Sequence, residues 1–229
     1  MDERHGPLPA LLLVLTGATG VVDAVSYLAL GRVFVANMTG NVVFLGFAVA
    51  DAAAFSVSAS LLALAAFLAG AFAGGAIGSR IGRHRARLLA IACGIQIALV
   101  GAALAAAMTA AGTPGGPLRY ALIVLLALAM GLQNAAARRL AVADLTTTVL
   151  TMTLTGFAAD SALAGGSQPR TGRRLLAAGT MWLGAAAGAL VVLDAGVALA
   201  LGLALALLVF TCMGGCTHWK SAAAWTAGA

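Results

Sequence analysis

"LGRVFVANMTGNVVFLG", Leu30 to Gly46, places Asn37, Thr39 and Asn41 within five residues inside an otherwise apolar stretch. A helix facing lipid does not favour amide and hydroxyl side chains at that density. The segment either lies outside the bilayer or faces something polar within it. Composition decides that a bilayer is involved at all. Of the 229 residues, 62% are hydrophobic and 9% charged, and the mean hydropathy is +1.04. A soluble domain carries about 25% charge, so this chain cannot cover a water-facing surface. It reads as an all-α integral membrane protein, a single transmembrane domain over residues 1–229.

A hydrocarbon core of about 30 Å needs roughly 20 apolar residues in a helix. Runs of that kind are Leu8–Leu30, Val33–Ala50, Val57–Ser79, Leu88–Ala110, Tyr120–Ala137 and Leu145–Ala159. The long block Leu175–Phe210 holds two more, turning at Asp194 to Gly196. The count is six to eight membrane segments, with eight favoured and the short polar ones as candidates for re-entry. The first run resembles a signal peptide, but Asp2 and Glu3 oppose Arg4 and no small-residue cleavage site follows, so it reads as an uncleaved span. With eight crossings, the Lys and Arg residues divide almost evenly between the two faces, which leaves orientation undecided. The net charge of +6 sits at the ends of apolar runs. Without a basic face interleaved with aromatics it does not suggest nucleic acid.

The chain echoes itself. "GVVDAVSYLAL" (Gly20–Leu30) resembles "GLQNAAARRLA" (Gly131–Ala141), with Asp23 falling on Asn134. "ANMTGNVV" (Ala36–Val43) resembles "ADLTTTVL" (Ala143–Leu150), with Asn37 falling on Asp144. "FLAGAFAGG" (Phe67–Gly75) is faintly like "WLGAAAGAL" (Trp182–Leu190). The common order implies an internal duplication, with halves near 8–110 and 119–213 and paired short, discontinuous helices. Such paired interruptions point towards a binding site in transporters. Asn37 and Asp144 suit helix N-caps. Inverted halves need an odd number of spans each, and a count of four and four implies parallel ones instead.

These blocks, "TGVVDAVSYLALGRVFVANMTGNVVFLG" and "GLQNAAARRLAVADLTTTVLTMTLTGFAAD", resemble the YoaK-type family of bacterial transmembrane proteins. The resemblance spans essentially the whole chain. It implies a multi-pass protein of the bacterial inner membrane and supplies no substrate, cofactor or catalytic residue.

The candidate site residues follow from the cost of polarity in lipid. Asp23 lies deep in the first span, where a carboxylate usually faces the bundle interior. Tyr27 shares its face one turn on. Asn37, Thr39 and Asn41 belong to the opening stretch. Gln133 and Asn134 lie in the fifth span, which ends in Arg138 and Arg139. Either arginine is a candidate partner for Asp23 or for an anionic solute, or a topology anchor reaching to headgroups. Asp144, Thr146, Thr147 and Thr148 complete the second polar block. Gly70, Gly74 and Gly78 form a small-residue stripe suited to close packing inside the bundle or at a homodimer contact. Gln96 is isolated, and "CMGGCTH" (Cys212–His218) reads as a tail rather than a four-ligand metal site. There is no HExxH, GxSxG or P-loop pattern, and the three histidines fall outside the spans, so neither an enzyme nor a cofactor or metal is expected. Three readings remain: a secondary transporter of a small polar or anionic solute, a non-transporting scaffold or sensor, and a passive channel.

Overall fold

The structure, a computed structural model, describes residues 5–50, 56–81, 83–110, 112–142, 145, 150–159 and 171–227. The described residues form eight α-helices: α1 Leu8–Ala29, α2 Met38–Val49, α3 Val57–Ile81, α4 Arg85–Ala107, α5 Gly116–Leu140, α6 Leu150–Ala159, α7 Thr171–Ala195 and α8 Val197–Thr217. A 3₁₀ turn, Ala224–Thr226, follows α8. Six of these are long and apolar enough to cross a membrane. With 12 and 10 residues, α2 and α6 reach only about 18 Å and 15 Å at 1.5 Å per residue. The favoured count of eight crossings therefore falls to six. The turn at Asp194 to Gly196 is where the sequence placed it, and Gly196 takes a φ of +89° there.

Contacts at the helix ends give each span its direction. Gly31, just past α1, lies against Arg119 at the start of α5. Ser58 of α3 bonds the Tyr120 hydroxyl at 3.0 Å. At the other end, Arg85 of α4 donates to the Leu140 carbonyl that closes α5, and Cys212 Sγ of α8 contacts the Ala90 carbonyl at 3.6 Å. So α1, α4 and α7 run one way, and α3, α5 and α8 run the other. The chain leaves α1 and enters α3 at one end of the bundle. It leaves α5 and enters α7 at the opposite end. Neither α2 nor α6 crosses.

This arrangement sorts the cations. Arg80, Arg83, Arg85, Arg87, Arg138, Arg139, Arg173, Arg174 and Lys220 all fall at the end where α1 begins, hereafter the basic end. Among the described residues only Arg32 and Arg119 stand at the other end. The even division disappears because it depended on two crossings that do not occur.

The inner helices α1 and α5 are gripped by α7 and α3 through backbone-to-backbone approaches that only glycine permits. A Cβ on Gly70 would stand 2.1 Å from the Leu128 carbonyl oxygen, and one on Gly184 would stand 2.1 Å from that of Gly17. Gly74 meets the Leu132 carbonyl and Ala135 Cβ, and Gly188 meets the Val21 carbonyl and Ala24 Cβ. Gly131 faces the Phe67 carbonyl and Ala71 amide, and Gly20 faces the Met181 carbonyl and Ala185 amide. Each α1 position lies 111 residues before its α5 counterpart, and each α3 position 114 before its α7 counterpart. The sequence echo placed Phe67 on Trp182, one residue out of this register. The glycine stripe of α3 is thus spent inside the bundle against α5, which leaves Phe72, Trp182 and Leu193 among the residues exposed towards lipid.

Gly70→Ala and Gly184→Ala are each expected to force the helices apart and cost about 1–3 kcal/mol, the usual penalty of overpacking. Gly75→Ala and Gly179→Ala, where nothing lies within 4 Å, are expected to be neutral. Thermal unfolding in detergent distinguishes the two pairs.

Candidate functional site

The opening stretch resolves into a built corner. Between α1 and α2 the backbone is irregular, and its amides need partners because lipid supplies none. Asn41 is fully buried. Its Oδ1 accepts the Phe34 amide at 2.9 Å and its Nδ2 donates to the Phe34 carbonyl at 2.6 Å. Asp23, also buried, accepts the Ala36 amide at 3.1 Å, and its own carbonyl accepts the Ser26 hydroxyl at 3.1 Å. Tyr27 stacks on Phe34 with centroids 5.1 Å apart, and Phe34 stacks on Phe44 of α2 at 5.9 Å. A Cβ on Gly40 would strike the Phe34 ring at 2.7 Å, so that glycine serves close packing rather than backbone freedom. Asn37 occupies the N-cap position but makes no side-chain cap bond, and both it and Thr39 are exposed.

The second group of candidates lies elsewhere. Arg138 and Arg139 are exposed at the basic end, while Asp23 lies towards the far end of α1, so the fold does not bring them together. Asn134 is half-buried and donates to the Met130 carbonyl of its own helix at 2.8 Å. Asp144, Thr146, Thr147 and Thr148 lie outside the described residues. The first polar block belongs to the end where α1 finishes, whereas α5 delivers the chain to the basic end.

The bundle interior holds a different polar pair. Gln133 is buried and donates through Nε2 to Thr19 Oγ1 at 2.7 Å, linking α5 to α1. Thr19 spends its only proton on the Leu15 carbonyl at 2.9 Å, so it must accept here. That fixes the orientation of the carboxamide. Gln96 of α4 is likewise buried, with Nε2 turned to the Ala92 carbonyl at 3.2 Å. A carbonyl only accepts, so this orientation is fixed too. Both Oε1 atoms are then buried with no hydrogen-bond partner among the described residues. Ala92, one turn before Gln96, packs against Leu132, the neighbour of Gln133; because α4 and α5 run antiparallel, the two glutamines stand at different heights in the interior. What each buried oxygen can do chemically is accept N–H or O–H donors. Sequence reasoning set Gln96 aside as isolated. The signal was present, a single amide in an apolar span, but not that its oxygen would be buried without a partner among the described residues.

A cavity of about 440 Å³ opens at the end where α1 and α4 finish, lined by Ala29, Ala107, Ala110, Val192, Gly196 and Val197 among others. It lies between the close of α1, the close of α4 and the α7–α8 turn; this end is hereafter the cavity end.

The fold and interior define a six-span helical membrane protein with two short helices on opposite sides. Residues 11–214 match the family described as "Protein of unknown function (DUF1275)", and the chain belongs to that family. It is similar to "UPF0700 transmembrane protein YoaK" of Bacillus subtilis (strain 168), at 35% identity over 150 residues. That match covers 66% of this chain and 65% of the relative's length. No solved structure matches the chain.

Replacing Asn41 by leucine, or Asp23 by alanine, is expected to leave buried amides of the corner unpaired at about 1–3 kcal/mol per group. Hydrogen exchange at Phe34 or Ala36 should accelerate accordingly. Asp23→Asn keeps an acceptor oxygen, so Ala36 should stay protected.

Proposed function

We propose that this protein is a secondary transporter of a small polar solute, built from two inverted halves. The observation that carries the reading is the recurrence of the glycine contacts. The helices α1, α3 and α4 stand to one another and to their partners as α5, α7 and α8 do. They run in the opposite sense, with a short non-crossing helix in each set. Three crossings per half is the odd number that inversion requires, where the sequence count of four implied parallel repeats. Inverted repeats place a solute site near the midplane and let one arrangement be exchanged for its mirror counterpart.

The solute class follows from the interior. Buried acceptors without protons of their own favour a ligand bearing amine or hydroxyl donors. An anionic solute would rely on Arg138 and Arg139, which stand at the end of the bundle rather than beside the buried oxygens. The chain carries no Walker motif, so gradient energy is the natural drive, and among the described residues Asp23 is the buried carboxylate available to exchange a coupling proton. Orientation follows from the cations: the basic end faces the cytoplasm of a bacterial inner membrane, and His5 and Ala227 lie on that side.

The reading is tested in proteoliposomes with labelled amino acids, polyols and short carboxylates under an imposed pH gradient. At least one donor-bearing probe should accumulate. Gln96→Leu and Gln133→Leu should lower its uptake by about tenfold, as about 1.4 kcal/mol of lost binding does, without loss of helical signal. Gradient-independent leak of every probe would replace the carrier with a channel, and no movement at all would leave a scaffold. For orientation, a fluorescent protein fused after residue 229 should fold and fluoresce, whereas alkaline phosphatase at the same position should be inactive; the reverse pair overturns the assignment.

A further inference from the structure

We infer that the cavity is the open mouth of a pathway whose equivalent at the basic end is locked by the two chain termini. This rests on the inverted-repeat reading above. Under the 111-residue correspondence, Ala29, which lines the cavity, is the counterpart of Leu140. The α7–α8 turn at Gly196 is the counterpart of the α3–α4 turn, and the close of α4 is the counterpart of the close of α8. If the two ends were alike, a second hollow would lie among Leu140, the α3–α4 turn and the residues after Thr217.

That place is filled. Arg85, the first residue of α4, is buried there. It donates to the Leu140 carbonyl, reaches the Trp225 carbonyl at 3.4 Å, and contacts His5 Nδ1 at 3.2 Å. Trp225 is buried to 8% exposure and its ring lies flush against Gly6, where a Cβ would stand 2.6 Å from it. Gly6 holds a φ of +49°, so the amino-terminal strap follows a path that side-chain-bearing residues resist. The tail is fastened to the α3–α4 turn besides. His84 Nε2 lies 3.1 Å from the Ser221 carbonyl, His84 and Ala227 form an isolated bridge, and Arg87 Nε donates to the Trp219 carbonyl at 3.0 Å. At the cavity end the corresponding linker after α4 lines the hollow through Ala110, Gly112 and Thr113 without closing it. Among the described residues, related surroundings are therefore open at one end and filled at the other. The segments before α1 and after α8, latched by Arg85 and Trp225, supply the filling.

The latch is tested by cysteine labelling in nanodiscs, where both ends meet the reagent and no transport is needed. Cys93, Cys212 and Cys216 are first replaced by alanine, and Ala29→Cys or Leu140→Cys is introduced. A membrane-impermeant maleimide should label Ala29→Cys at least about tenfold faster than Leu140→Cys, the ratio expected when one arrangement is dominant. Adding Trp225→Ala should raise the Leu140→Cys rate by about an order of magnitude as the shut arrangement loses population. Gly6→Ala reaches the same end by pushing the Trp225 ring away, and serves if Trp225→Ala fails to fold as judged by gel filtration. Equal labelling of the two positions with the tail intact, or an unchanged Leu140→Cys rate in a folded variant, overturns the latch. Gated labelling without flux of any probe would instead count against the carrier and leave the latch standing.

Discussion

The bundle depends on helices touching backbone to backbone. In lipid there is no hydrophobic force to press apolar helices together, since the tails around them are equally apolar. What remains is contact at short range, and its strength falls steeply with separation. A glycine at the crossing removes the side chain that would hold two axes apart. Gly70 against Leu128 and Gly184 against Gly17 do this on the two sides of the structure. Everything else hangs from these crossings: α1 and α5 are enclosed because α7 and α3 are drawn onto them, and the exposed faces of α3 and α7 are left for lipid.

The same absence of water explains why the polar residues of the opening stretch are where they are. A chain that stops being helical inside a membrane protein strands its amides and carbonyls. Asn41 answers for both backbone groups of Phe34, and Asp23 answers for the amide of Ala36, thirteen residues away. Read from the sequence, these side chains suggested a wet, converging site. The density of polarity was legible. Its purpose was not, because nothing along the chain tells Asp23 that its oxygen will meet an amide rather than a guanidinium. Arg138 and Arg139 suited that role in sequence and lie towards the other end of the bundle in space.

The fold was legible to a similar degree and for a similar reason. Length and hydropathy mark the six long spans and the turn at Gly196, because crossing a bilayer imposes both. They do not separate a short span from a short helix that turns back, since Val33–Ala50 reads as apolar enough for either. Direction settles it. Once α1 and α3 are seen to meet at one end, the run between them cannot cross, and the cations that had divided evenly collect at a single end. The glycine stripe of α3 was visible from its spacing, but not that α7 carries its equivalent one residue away from the register the echo suggested. The stretch Cys212–His218 read as a tail, and nothing along the chain says that the residues after it reach Arg85 and the α3–α4 turn.

On the inverted-repeat reading, the difference between the two ends is informative. Identical halves would leave an arrangement and its exchanged counterpart equal in energy, so whatever distinguishes the halves sets the balance. Among the described residues the distinctions include Ala29 at the cavity end against Leu140 at the basic end, and the segments before α1 and after α8. Both segments are folded onto the basic end, around Arg85, the buried first residue of α4. A few hydrogen bonds there, each worth about 0.5–1.5 kcal/mol net, are of the same order as the few kcal/mol that set the populations of two conformers. On the carrier reading, the termini are therefore suited to bias which end stands open while leaving the crossings that hold the bundle together unchanged.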